Sequence, residues 1–325
     1  MFWLSILVVS LVVIAVVLYM MNKNNVDFKT IYLLIKGVYS FYIYPLFTRN
    51  KEKIIYKNKK WNEDMLKGLH IKLITKGTMV TNKPVLYVAN HHHFIDGLII
   101  KSLHPKTYLI GTASGKNELP MLKNIMGSIL ENYGVIPYER GDKNSGKKVR
   151  EMIAKTILEK KRSVIVFPEG TTITSFGPQK FFKGSFEVAF NNNIIIQPIT
   201  IKYDGNCGWG RKTSVSKDHN LDLMKNLEYM RQRNHKCYVV FHKPIHPKDF
   251  ENGIKMKDYC HRLIKKTWKF MDLEFGKNQY MTIRDKKNTK EIEHVEDHED
   301  KKNDSDAINE DDIRKQLQES LQVQE

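Results

Sequence analysis

One short stretch of this sequence holds the residues best suited to chemistry: NHHHFID, at positions 90–96. His91 stands five residues before Asp96, a spacing that suits a general base and the carboxylate that orients it. A turn after His91 would bring Asp96 to the far ring nitrogen, where it would fix the tautomer and stabilise the imidazolium. From these residues alone two simpler roles stay open: Asp96 could cap a following helix, and His91 could be an ordinary loop histidine.

Apolar runs on both sides position this stretch. VLYVA, at residues 85–89, is typical of a buried strand, and GLII, at residues 97–100, is typical of a helix. A histidine and an aspartate at the end of a strand occupy the usual place for a site in an α/β sheet. Short apolar strands then alternate with amphipathic helices. This alternation predicts an α/β fold: an αβα layered domain with a mostly parallel sheet.

The periodicity also predicts the individual elements. We expect strands near residues 71–75, 85–89, 107–111, 134–138, 163–167, 194–202 and 238–241. We expect helices near residues 62–69, 95–103, 120–130, 145–160, 184–191, 219–233 and 254–274.

Three later apolar runs also carry distinctive residues. GVIPYER, from residue 134, ends in Arg140; VIVFPEGT, from residue 164, ends in a glutamate, a glycine and a hydroxyl; IIIQPITI, from residue 194, contains a proline. Lys183 and Gly184 lie near a predicted helix start, where exposed N–H groups favour an anion. A surface ion pair for Arg140 and a solvated position for Lys183 remain alternatives.

These four runs, in this order, resemble the motifs of the glycerophospholipid acyltransferase family, of the 1-acyl-sn-glycerol-3-phosphate acyltransferase type. The family's blocks are NHxxxxD, GxxxxxxR, FPEGT with a following basic-Gly pair, and a short apolar block with a proline. The resemblance covers roughly residues 84–203. It implies transfer of a fatty acyl group from acyl-CoA, as co-substrate without a cofactor, to a lysophospholipid acceptor. Lysophosphatidic acid, giving phosphatidic acid, is the acceptor that it favours.

The resemblance also implies roles for single residues. His91 and Asp96 would be catalytic, and Arg140 would hold the acceptor's phosphate through its planar fork. Glu169 would accept a hydrogen bond from a substrate hydroxyl, and Gly170 would let the backbone approach the substrate. The predicted substrate-binding residues are therefore Arg140, Glu169, Gly170, Thr171 and Lys183.

One position departs from the family pattern. Members that act on lysophosphatidic acid usually continue FPEGT with an arginine, and this chain has Thr172. The alternatives are therefore an acyltransferase for glycerol 3-phosphate or for lysophosphatidylcholine or lysophosphatidylethanolamine, and a non-catalytic, membrane-shaping relative.

Other chemistry finds less support in the sequence. Adjacent residues of an extended chain point to opposite faces, so His91, His92 and His93 do not make a convincing metal site, and we predict none. No serine or cysteine stands in a nucleophile elbow, which favours direct transfer over an acyl-enzyme. Three widely separated cysteines fit a reducing compartment.

The charge is divided unevenly along the chain. Residues 284–325 hold eight Lys and Arg against fourteen Asp and Glu, a net charge of −6. Because the formal charge of the whole chain is +17, the remaining residues carry +23. We predict that residues 277–325 are a charged, disordered tail. A basic body suits an anionic partner; without a nucleic-acid-binding motif, membrane lipids are preferred over nucleic acid.

The N-terminus supports the membrane as partner. Residues 1–21 carry no charged side chain and as a helix would span about 31 Å, so we predict an uncleaved transmembrane anchor rather than a signal peptide. Residues 22–60, basic and aromatic, predict a segment at the membrane interface; a core helix of the domain is the alternative for residues 30–48. Residues 61–276 would form the acyltransferase domain. The lysines after the anchor predict a single-pass or monotopic protein with a cytosolic catalytic domain, at the endoplasmic reticulum in a eukaryote.

Overall fold

A seven-stranded sheet forms the centre of the computed structural model, which describes Ala15 and residues 28–93, 95–112, 120–138, 143–172, 177–203, 231 and 234–275. The strands are β1 (Ile71–Lys76), β2 (Leu86–Ala89), β3 (Tyr108–Thr112), β4 (Val135–Tyr138), β5 (Val164–Val166), β6 (Ile196–Tyr203) and β7 (His235–Phe241). Their order across the sheet is β1-β7-β6-β2-β5-β3-β4. The five strands from β6 to β4 run parallel, whereas β7 is antiparallel to β6 and parallel to β1. The predicted mostly parallel α/β sheet is thus confirmed.

Helices cover both faces of this sheet. They are α1 (Phe28–Val38), α2 (Tyr44–Phe47), α3 (Lys51–Gly68), α4 (Asp96–Leu103), α5 (Pro120–Tyr133), α6 (Lys143–Leu158), α7 (Gly184–Asn191) and α8 (Gly253–Phe275). The π-helix Tyr39–Ile43 joins α1 to α2, and a short 3-10 turn, Pro247–Asp249, precedes α8. One core cluster unites the sheet with α1, α3 and α4, and a second unites it with α6, α7 and α8. The layers are therefore helix, sheet, helix.

The central strand β2 explains why two cores form. All four of its residues are buried, and they alternate between the clusters. Tyr87 and Ala89 pack with α3 and α4, whereas Leu86 and Val88 pack with α6 and α7. A parallel strand covered on both faces is apolar at every position, as the run at 85–89 is.

The helices before β1 pack directly on the domain. Asn50 caps α3, because its Oδ1 accepts hydrogen bonds from the N–H groups of Glu52 and Lys53, both at 3.1 Å. The indole of Trp61 donates to the carbonyl of Leu33 at 2.8 Å, which ties α3 to α1. Helix α3 is continuous through residue 60 and begins eleven residues before the predicted start at residue 62.

The end of α5 shows why the second motif begins with glycine. Gly134 follows the helix with φ +78°, a left-handed conformation that ends helices and that other residues adopt at a cost. The ammonium of Lys101, buried in α4, donates to the carbonyls of Tyr133 and of Thr107 and so satisfies the last turn of α5. Burial lowers the pKa of Lys101 to about 7. The glycine and the lysine together direct the chain into β4.

Several predicted segments lie outside the described residues. They are residues 1–21 apart from Ala15, the helix at 219–233 apart from Arg231, and the tail at 277–325. Among the helices that the structure describes, none combines the length and apolar character needed to cross a membrane. The transmembrane anchor therefore remains a prediction.

Candidate active site

Three neighbouring strands, β6, β2 and β5, end at the same edge of the sheet and bring three of the four predicted motif runs together; the fourth, GVIPYER, lies on β4, two strands beyond β5. In the central register, Val88 of β2 lies between Val166 of β5 and Pro198 of β6. Because the three strands are parallel, the loops that follow β2 and β5 emerge beside the last residues of β6. Crevices at the carboxyl ends of parallel strands are the usual sites of ligands in such sheets.

Asn90 fixes the point where the chain leaves β2. Its side-chain amide donates to the carbonyl of Ile201 and its side-chain carbonyl accepts the N–H of Ile201, both at 2.8 Å. The side chain thus satisfies both backbone polar groups of Ile201 just beyond the last paired residue of β2. The backbone after Asn90 is free to turn away from the sheet.

His91 and Asp96 meet as their spacing predicts. Nδ1 of His91 lies 3.0 Å from Oδ2 of Asp96, and because a carboxylate only accepts, Nδ1 carries the proton. The tautomer with a basic Nε2 is therefore favoured. His91 stacks on Phe167, with ring centroids 4.2 Å apart, and is 20% exposed, whereas Asp96 is wholly buried.

Asp96 does not simply cap a helix. It is the first residue of α4, but its carboxylate turns back and Oδ2 accepts the N–H groups of His92 at 2.8 Å and His93 at 2.7 Å. The carboxylate therefore organises the loop that carries His91. Its charge also lies at the positive end of the α4 dipole, which favours it.

His92 and His93 are more deeply buried than His91. Burial lowers the pKa of His92 to about 4 and holds the pKa of His93 well below its usual range. Both rings pack against Tyr203, with centroids 5.5 Å from its ring. They are neutral packing residues, and within the described ranges no three metal-ligating side chains are gathered into a cluster.

Glu169 fastens the loop after β5 to the loop after β2. One carboxylate oxygen accepts the N–H of His91 at 2.8 Å, and the other accepts the N–H of Gln179 at 3.1 Å. Burial raises the pKa of Glu169 to about 8, although the two N–H donors act in the opposite direction. Glu169 therefore holds the backbone of His91; its contact with a substrate hydroxyl remains a prediction.

Gly170 is required by the shape of its loop. Its φ is +66°, and a Cβ at this position would lie 3.1 Å from the ring of Phe182. Phe182 is 70% exposed and its N–H donates to the carbonyl of Pro168 at 2.8 Å. An exposed aromatic ring, rather than open space, thus lies against Gly170. Thr171, the next residue, is half-buried.

Lys183 and Arg140 are the two residues predicted to contact the substrate's phosphate. Lys183 precedes the first residue of α7, is 62% exposed and pairs with Glu187, one helical turn away, at 2.8 Å. This exposure agrees with the solvated position that stayed open for Lys183, and the ion pair with Glu187 was not among the predictions. Arg140 lies outside the described residues.

The sequence analysis missed Tyr203. Its hydroxyl donates to Oδ1 of Asp96 at 2.7 Å, across 107 residues of chain. The available signal was a hydroxyl directly after the strand predicted at residues 194–202; its place beside the motif follows only from the strand order.

The Glu169→Gln variant should change how stability depends on pH. Folded Glu169 keeps its proton up to about pH 8, whereas the unfolded residue loses it near pH 4.5. The folded state binds more protons between these values, so wild-type stability falls as the pH rises through this window. Glutamine does not titrate. Urea unfolding from pH 5 to 9 should therefore show the wild type losing stability relative to the variant as the pH rises.

Glu187→Gln, at the half-exposed ion pair with Lys183, is the matched control for removing a carboxylate. A stability difference between wild type and Glu169→Gln that is the same at every pH would contradict the raised pKa.

The acyltransferase family model matches residues 70–202. The chloroplastic 1-acyl-sn-glycerol-3-phosphate acyltransferase of Arabidopsis thaliana is 29% identical over 194 residues, which are 59% of this chain and 46% of the relative. Glycerol-3-phosphate acyltransferase 3 of Xenopus laevis is 26% identical over 199 residues, 59% of this chain and 41% of the relative. The chain thus spans about half the length of these relatives.

A solved structure has a similar fold. The crystal structure of the 1-acyl-sn-glycerophosphate acyltransferase from Thermotoga maritima superposes with a TM-score of 0.50 at 17% identity, covering 75% of this chain and 98% of that chain. The resemblance predicted from the motifs is therefore confirmed: the part of this chain that carries the His91–Asp96 pair matches the acyltransferase family.

Proposed function

We propose that this protein is an acyl-CoA-dependent O-acyltransferase that converts lysophosphatidic acid to phosphatidic acid, with His91 as the general base. The contact of 3.0 Å between His91 and Asp96 carries the proposal, because it sets the tautomer that a base needs. The match of residues 70–202 to the acyltransferase family and the names of the relatives support the reaction class.

The reaction needs a base because an alcohol is a weak nucleophile. The acceptor's hydroxyl proton passes to Nε2 of His91 while its oxygen attacks the thioester carbonyl carbon. The ester C–O bond forms, the C–S bond breaks, and the departing sulfur takes the proton from the imidazolium. Asp96 stabilises the imidazolium between these two proton transfers.

The surroundings of His91 keep the base in place. Phe167 stacks against one face of the imidazole, and Glu169 accepts the backbone N–H. With the ring and backbone both fixed, Nε2 holds one direction without reorganisation during the reaction. The intact His91–Asp96 pair also argues against a non-catalytic relative.

The acceptor is the finer part of the proposal. Arg140 and Lys183 are the two cations that we assign to a phosphate monoester, with Arg140 the stronger because its fork can bind two oxygens. A zwitterionic headgroup brings a cation that this pair would repel. The alternative acceptor is glycerol 3-phosphate, favoured by Thr172 in place of arginine and by the name of the Xenopus relative.

The His91→Ala variant should lose about 10²- to 10⁴-fold in kcat, the usual contribution of a general base. Its fold should be retained, because His91 is the partly exposed member of the three histidines. Release of free thiol from acyl-CoA measures the rate. His92→Phe, which keeps an aromatic ring against Tyr203, is the control and should keep most activity. Comparable inactivation of both variants would count against His91 as the base.

An acceptor panel tests the substrate. One radiolabelled acyl-CoA would be offered lysophosphatidic acid, glycerol 3-phosphate, lysophosphatidylcholine and lysophosphatidylethanolamine, and we expect the first to give the highest kcat/KM. Arg140→Ala should cost about 2–4 kcal/mol in this ratio, mainly through the acceptor's KM, and leave the KM for acyl-CoA nearly unchanged. A preference for glycerol 3-phosphate would instead support the alternative.

We also propose that the helices before β1 rest on a membrane. Of the nine exposed large apolar residues that the described part of the chain contains, six lie between residues 32 and 56. We call them the interface patch: Tyr32, Ile35, Tyr39, Leu46, Phe47 and Tyr56. The ammonium of Lys57 lies over two neighbouring rings, 5.1 Å from that of Tyr39 and 5.6 Å from that of Tyr44. Aromatic rings beside lysines suit the headgroup region of an anionic bilayer.

The opposite side of the same helices is already used. Ile31, Leu33 and Phe41 are buried in the domain core, so the interface patch is not a misplaced core face. Because both substrates carry acyl chains, a catalytic domain held against the bilayer would meet them where they concentrate.

Removal of residues 1–21 should leave an active protein that binds anionic vesicles peripherally and is released by carbonate.

In that truncated protein, Tyr39→Ser with Phe47→Ser should weaken vesicle binding about tenfold, equivalent to about 1.4 kcal/mol of lost apolar burial. Leu158→Ser with Ile254→Ser removes two exposed apolar residues elsewhere and should leave binding unchanged. Equal losses for both pairs would exclude a specific role for the interface patch.

A further inference from the structure

The Asp96 carboxylate is held by four donors. Oδ2 faces Nδ1 of His91 and accepts the N–H groups of His92 and His93. Oδ1 accepts the hydroxyl of Tyr203 at 2.7 Å. Apart from His91, Tyr203 is the side chain that contributes a donor within the described residues. Because the other two donors are backbone N–H groups, the Tyr203 hydroxyl is the donor besides His91 that a side-chain substitution can remove.

Tyr203 is itself firmly placed. It ends β6, is buried, and has the rings of His92 and His93 against it. Two residues earlier on the same strand, Ile201 holds Asn90 through both backbone groups. The end of β6 thus fixes Asn90, where the loop between β2 and α4 begins, and the carboxylate of Asp96, where that loop ends.

We infer that Tyr203 is a positioning residue for the catalytic base and sets how strongly Asp96 stabilises the imidazolium. The inference rests on the proposed function, in which His91 is that base. A carboxylate bound through one oxygen can rotate about its Cβ–Cγ bond, and the hydroxyl on Oδ1 prevents this. A hydrogen bond to Oδ1 also draws negative charge away from Oδ2, the oxygen that faces His91.

Loss of the hydroxyl has a predictable direction. Tyr203→Phe keeps the ring against both histidines but leaves Oδ1 without this donor in a buried site. More of the carboxylate's charge then acts on His91 and favours the protonated ring. A protonated His91 cannot take a proton from the acceptor. The acidic limb of the kcat/KM profile, which reports protonation of the base in the free enzyme, should therefore move to higher pH.

The experiment uses the full-length protein, acyl-CoA and lysophosphatidic acid, from pH 5 to 9. For Tyr203→Phe we expect the acidic limb of the kcat/KM profile to move to higher pH by about half a unit or more. We also expect kcat at pH 7 to fall about threefold to thirtyfold. The KM for acyl-CoA should change less than about twofold, because Tyr203 acts through the base. Tyr133→Phe, which removes the buried hydroxyl that donates to Asn62, is the matched control and should keep the wild-type profile.

A second variant guards against misfolding of Tyr203→Phe. 3-Fluorotyrosine at position 203 has almost the same size and is a slightly stronger donor, so it should shift the acidic limb to lower pH. An unshifted limb in both variants, or lower activity with an unshifted limb, would overturn the inference. Full activity of His91→Ala would instead overturn the proposed function, so the two failures are distinguishable.

Discussion

The site depends on one requirement: a carboxylate buried without access to water must be given donors by the protein. An ionised carboxylate transferred to the interior without partners costs several kcal/mol, which is a large part of the stability of a domain. Asp96 meets this requirement with two backbone N–H groups, a tyrosine hydroxyl and the imidazole of His91. The same bonds that make the buried charge tolerable also determine the path of the loop, so stability and geometry have a common origin here.

That requirement explains the arrangement of the surrounding elements. The loop can curl around Asp96 because Asn90 ends the β2 ladder with its own side chain, which releases the next residues from the sheet. Glu169 then fixes the outer side of the loop through the N–H of His91. Each strand that contributes is a neighbour of β2 in the sheet, and the parallel order places all three ends together.

Much of the fold followed from the sequence because local patterns and the fold agree. Strands such as β2 are apolar at every position, and helices such as α7 have the predicted bounds, Gly184–Asn191. The errors have physical causes. Helix α3 begins at Lys51 because Ile54, Asn58 and Trp61 share one buried face, a signal concealed by the surrounding lysines. Helix α6 ends at Leu158, two residues before the predicted end at residue 160, and Lys161 beyond it adopts a left-handed φ of +53°.

The site was predictable only where its partners are close in sequence. The contact between His91 and Asp96 spans five residues and follows from a turn. The contact of Glu169 with substrate stays a prediction, and its observed bonds, to the N–H groups of Gln179 and of His91 78 residues away, were not predicted. Tyr203 carries no motif, and only the strand order β6-β2-β5 shows that its hydroxyl can reach Asp96. A side chain that binds distant backbone can belong to a local motif, as Glu169 does, but the motif does not reveal its partner.

The clamp between Asn90 and Ile201 has a consequence for how the protein is made. Two partners of the loop between β2 and α4 come from β6: Ile201 lies 111 residues downstream of Asn90, and Tyr203 lies 107 residues downstream of Asp96. During synthesis, the chain must therefore be completed beyond β6, and that strand must emerge from the ribosome, before the loop can be ordered. Until then Asp96 lacks part of its donor set and remains in water. Contacts of such long separation form late, so the His91–Asp96 pair reaches its final geometry only when the sheet is nearly assembled.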